Sequence, residues 1–140
     1  MDPEVMTPEA IASNLKRTIK HGARAAELHA QAPGLVDMLC PPEQHGVLSD
    51  LERAVEAESY IRHACNIELD GPTGRALLVL LALAPGTAGV TLEMRQYNAG
   101  TILRPDSIQA DTVRRPYIRD RLLNGLAVEL YRMCKLSEAA

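Results

Sequence analysis

The chain has almost nothing with which to build an aromatic core. Its 140 residues include four Tyr, no Phe and no Trp. Such an interior must be filled by Leu, Ile, Val, Met and Ala, side chains that suit closely packed helices better than the facing sheets of a β-sandwich. Hydrophobic residues make up 46% and charged residues 24% of the sequence, enough apolar material for an ordinary core and too little charge for a disordered chain. The expected fold is mostly α, a single globular domain over residues 1–140. Within it, a compact bundle of about four to five helices surrounds a central apolar helix at 73–84, with room for one short β-hairpin at 90–104.

The opening Met1-Asp2-Pro3-Glu4 has no basic start and no apolar run behind it, which argues against a secretory signal. The longest apolar stretch, 76–85, falls well short of the ~20 residues a membrane helix needs. Cys40, Cys65 and Cys134 are an odd and scattered set, the pattern of reduced thiols rather than a disulfide framework. These features point to a soluble, cytoplasmic protein with no membrane partner.

Helix signals punctuate the chain. Thr7-Pro8-Glu9 reads as an N-cap, a first-turn proline and an acid near the positive end of the dipole. Ile11, Leu15, Ile19, Ala23, Ala26 and Ala30 then recur at helical spacing until Pro33-Gly34. Residues 35–39 read as a short apolar turn. Ser49-Asp50-Leu51-Glu52 has capping-box spacing. The helix behind it carries Leu51, Ala54, Val55, Ile61 and Cys65 on its apolar side, with Glu52, Arg53 and Glu56 wet, and stops at Asp70-Gly71-Pro72. Leu and Ala dominate 75–84, so a helix is preferred there to a buried strand.

Between 90 and 104 the alternation of Val90, Leu92 and Met94 with Thr91, Glu93 and Arg95 suggests a hairpin turning at Asn98-Ala99-Gly100. The alternative is a short helix from Thr91 stopped by Gly100. Arg104-Pro105-Asp106-Ser107 reads as a turn. The last helix starts near Pro116 and runs to about Leu136, with Ile118, Leu122, Leu126, Leu130 and Met133 along one side and Leu123, Ala127 and Cys134 beside them. So wide an apolar face needs a cover, either the chain's own core or a second chain.

Charge is uneven. Residues 41–70 hold seven Asp and Glu against two Lys and Arg, whereas 71–140 hold six against nine. With an overall charge of −3, this is more readily an ordinary solvated surface than a polyanion-binding one. On the first helix Lys16, Arg17, Lys20, His21 and Arg24 form a basic stripe, most simply the wet side opposite Ile11, Leu15 and Ile19.

Candidate chemistry is sparse. Cys40, His45, His63 and Cys65 have the donor types of a zinc site. However, His63 and Cys65 sit two apart on a helix, and their side chains diverge by about 200°. Gly71-Pro72-Thr73-Gly74 lacks the Lys-Ser/Thr of a phosphate-binding loop, and there is no Gly-x-Ser-x-Gly or His-Glu-x-x-His. Glu27 and His29, two apart, do not face each other. No catalytic residue, metal ligand or cofactor is expected; an enzyme whose site gathers groups such as Glu58, Arg62 and His63 in space is the remotest reading.

One stretch resembles a known family. Gly89-Val90-Thr91, Arg95, Tyr97, Leu103-Arg104-Pro105 and Arg114-Arg115-Pro116-Tyr117 are similar, over about a fifth of the chain, to the MerR-type helix-turn-helix. In that family a recognition helix is followed by a basic wing, and both grip DNA. This sequence departs from it where Pro85-Gly86 interrupts the motif's first helix and where the segment after Val90 is a residue short. A hairpin or short helix capping the core accounts for the same residues.

Two functional expectations follow. The first is a small regulatory or interaction protein that binds another macromolecule, a protein partner, and pairs with itself as a homodimer through Leu122, Leu126, Leu130 and Met133. The second is a DNA-binding regulator that uses Arg95, Arg104, Arg114, Arg115, Arg119 and Arg121 on phosphates.

Overall fold

The computed structural model describes residues 6–44, 46–69, 71–103 and 116–139, and within them the chain forms seven α-helices, one π-helical turn and no strand. The mostly helical class is as the composition implies. The hairpin at 90–104 is absent.

Helix α1, Pro8–Thr18, begins at its expected cap: the Thr7 hydroxyl accepts the Ala10 N–H at 3.1 Å, with Pro8 in the first turn. It stops at Thr18 instead of running to 32. Gly22 turns the chain at φ +91°, and the next N–H, of Ala23, donates to the Leu81 carbonyl at 2.8 Å. A Cβ on Gly22 would lie 2.9 Å from that of Ala82, so only glycine permits this approach. A tertiary contact therefore breaks a pattern that periodicity reads as continuous. α2, Ala25–Gln31, resumes after the break, and α3, Pro33–Leu39, starts on Pro33 where a stop and a mere turn were expected.

α4, Asp50–His63, has the complete capping box: Ser49 Oγ accepts the Glu52 N–H at 3.1 Å, and Glu52 Oε1 accepts the Ser49 N–H at 2.9 Å. A π-helical turn, Ala64–Glu68, extends it. α5, Pro72–Leu80, ends four residues before the expected 84, because Ala82 adopts φ +60° and the N–H groups of Leu83 and Ala84 both fold back onto the Leu78 carbonyl.

α6, Leu92–Leu103, replaces the hairpin. Thr91 Oγ1 accepts the Met94 N–H at 3.2 Å, and the helix passes straight through Gly100. Its buried face is Arg95, Gln96, Ala99 and Gly100, half of it polar, so no clean helical stripe competes with the chance alternation at 90–95. The turn expected at 104–107 lies outside the described residues. α7, Pro116–Ala139, is the last element.

α5 packs on α6, α1 on α7, and α2 on α4, while the π-helical turn lies against α5. The interior is aliphatic, with Ile11, Leu15, Leu28, Ile61, Leu77 and Leu126 fully enclosed. At the crossing of α5 with the π-helical turn, a Cβ on Gly74 would run into the carbonyl oxygens of Cys65 and Leu69, the second at 2.5 Å. Among the described residues no helix is long and apolar enough to cross a membrane.

Candidate interaction surface

The roll of α4 is fixed by two arginine clamps. Arg53, 7% exposed, donates to Asp37 Oδ1 and Asp50 Oδ1, each at 2.8 Å, and to the Cys40 carbonyl at 3.0 Å. The hydrogen bond to Asp37, and then that to Asp50, raises the guanidinium pKa, while the same arginine holds the Asp50 carboxyl below its ordinary value. Further along, Glu58 accepts the Ala25 N–H at 2.8 Å and Arg62 Nε at 2.9 Å, and Arg62 donates to the Leu83 carbonyl at 3.0 Å. Arg53 therefore ties α4 to α3, Glu58 ties it to α2, and the half-buried Arg62 ties it to the turn after α5.

That roll corrects the sequence reading. The packing face of α4 is Ala54, Ala57 and Ile61, continued by Ala64, all fully buried. Alanines let a neighbouring helix come close. Leu51 and Val55, expected on one apolar side with Ala54, Ile61 and Cys65, stay 50% and 49% exposed, and Arg53, expected wet, is inside. At about 100° per residue, Glu52, Glu56 and Ser59 share the outward arc with Leu51 and Val55. Val47, in the turn that precedes α4, is 97% exposed. The result is a short apolar strip with an acidic flank.

α7 has the opposite character. Leu123, Leu126, Ala127 and Leu130 are fully buried. Of the four residues expected at a self-association surface, Leu126 and Leu130 are thus used by the chain's own core, and Leu122 and Met133 are half-buried against it. The outward face carries Arg121, Val128, Arg132 and Leu136, with Arg132 paired to Glu129 at 3.1 Å.

Among the described residues the basic side chains are scattered. Arg95 is 2% exposed: it donates to the carbonyls of Leu80, of Val90 at 3.0 Å and of Lys20 at 3.4 Å, which removes it from any solvent-facing set. Arg104, Arg114 and Arg115 lie outside the described residues. Arg119 is half-buried beside Asp120, and Arg121 is exposed. On α1, Lys16 pairs with Asp120 at 3.5 Å and Arg17 donates to Asn14, but Lys20, His21 and Arg24 fall beyond the end of the helix, so the stripe is broken there.

Among the described residues no three His, Cys, Asp or Glu side chains converge on a metal-sized point. Cys40 and Cys65 are buried, and burial pushes both thiols up to about 12, so neither is a nucleophile near neutral pH. His63 is exposed beside Glu68, and His45 lies outside the described residues. A depression of about 80 Å³ between His29, Pro33, Val36 and Asp50 has room for a few water molecules, not for a metabolite.

No family model, curated protein or solved structure matches this chain. The sequence reading missed both buried arginines. For Arg53 a signal existed, since Asp50 three residues earlier is a helix-spaced partner. For Arg95 there was none, because its partners are backbone carbonyls.

Proposed function

We propose that this chain is a small helical interaction module, built as a bundle about α5, that acts by binding protein and associates with itself. The observation that carries this reading is the exposure of Leu51 and Val55 on a helix whose roll is held by Arg53 and Arg62, so that the strip cannot turn inward. Buried, unreactive thiols and a shallow depression give no support to chemistry on a small molecule. The burial of Arg95 weakens the reading of a DNA-binding regulator.

Light scattering across about 1–100 µM protein tests the proposal, a range in which modest helix–helix interfaces associate. A mass rising above 15.3 kDa with concentration is expected. A constant monomer mass overturns the self-association.

A further inference from the structure

We propose that the partner covering α4 is α7 of a second copy of this chain, with Val128 and Leu136 laid against Leu51 and Val55. This rests on the reading of self-association above. Charge is the first argument. The outward face of α7 carries Arg121 and Arg132, the latter also paired with Glu129 at its edge, whereas that of α4 carries Glu52 and Glu56. Pairing α7 with α7, or α4 with α4, sets like charges opposite one another; only α4 against α7 brings opposite signs together. A two-fold axis makes this contact twice.

Apolar exposure is the second argument. Val128 is 44% and Leu136 70% exposed on α7, and the strip on α4 matches them in kind. Gly125 is the third. At about 100° per residue it falls among Arg121, Val128, Arg132 and Leu136, and among the described residues nothing lies within 4 Å of where its Cβ would be. A glycine inside a 24-residue helix weakens it relative to alanine, and among the described residues no close approach accounts for one here. A helix of a second copy crossing at this point does.

The test is a charge exchange. One variant carries Glu56→Lys and Ser59→Lys on α4, leaving the capping Glu52 in place; the other carries Arg121→Glu and Arg132→Glu on α7. Each alone sets like charges across the contact and is expected to weaken dimerisation at least about tenfold, with helix content by circular dichroism unchanged. Mixed in equal amounts, the two restore opposite signs at both contacts, and the dimer is expected to return to within about tenfold of the parent. Gly125→Leu adds a second measurement: bulk at a point open in the monomer is expected to abolish the dimer while the protein keeps its fold. Dimers that persist in either charge variant, or a mixture that stays monomeric, overturn these surfaces while self-association stands. A parent chain that is monomeric throughout overturns both.

Discussion

At Gly74 the fold depends on the absence of a single atom. α5 crosses the π-helical turn so closely that a Cβ there meets the carbonyl oxygens of Cys65 and Leu69, and backbone cannot swing aside as a long side chain can. Gly74→Ala is therefore expected to destabilise the protein by about 3 kcal/mol, the upper range for overpacking a tight core. The same change at Gly125, where none of the described residues lies opposite, is expected to stabilise the monomer by about 0.5–1 kcal/mol, because alanine is the better helix former. Urea denaturation of the two variants checks both signs in one experiment. A Gly74→Ala protein as stable as its parent would mean that the crossing is looser than these positions imply.

Among the elements, the ones legible in the sequence are those set by local chemistry. Thr7-Pro8 and Ser49-Glu52 start helices because side chains satisfy free amides a few residues away, an interaction that needs nothing from the rest of the molecule. What was illegible depends on distant partners. The break after α1 needs the Leu81 carbonyl, and the roll of α4 needs Asp37 and the Cys40 carbonyl. Of the apolar side that the spacing of α4 suggests, Ala54, Ile61 and Cys65 are buried, whereas the larger Leu51 and Val55 face outward. The helix instead packs through its alanines, which let α2 come closer than Leu and Val would. Spacing alone therefore does not separate the exposed Leu51 and Val55 from Ile61, which is buried on the same helix. On α7 the apolar side was found, but Leu126 and Leu130 face the chain's own interior, so the exposed face lies on the other side.

The N-terminal turn of α4 also links stability to pH. Hydrogen bonds from Ser49, chiefly its backbone N–H, hold the Glu52 carboxyl below its ordinary value, and the hydrogen bond from Arg53 does the same for Asp50. A carboxyl with a depressed folded-state pKa contributes in full above the unfolded-state value, and that contribution is lost as pH falls through the folded-state value. Stability of the parent is therefore expected to fall as pH drops from about 5 to about 3. In the Asp50→Asn, Glu52→Gln double variant that acid slope is expected to be shallower, as read from thermal midpoints across the range. Identical slopes would count against a role for these two carboxylates.

Over the whole molecule, Arg95 joins segments that the chain order keeps far apart. Its guanidinium reaches the Leu80 carbonyl at the end of α5, the Lys20 carbonyl in the turn after α1 and the Val90 carbonyl just before its own helix. Burial pulls its pKa below the ordinary value, yet the carbonyls at the ends of α1 and α5 lie at the negative poles of those helices and favour a cation. Replacing Arg95 with Met keeps much of the volume and leaves three carbonyls without this donor, an expected loss of about 3 kcal/mol. Lysine has the charge but not the planar fork, and Arg95→Lys is expected to recover little of the loss. Hydrogen exchange is the informative measurement: if Arg95 holds these elements together, amide protection should fall in α1, α5 and α6 jointly while α4, anchored through Arg53 and Arg62, is less affected. If Arg95 instead served DNA, its removal would weaken a DNA complex and leave exchange unchanged, so protection factors separate the two roles without any ligand being known.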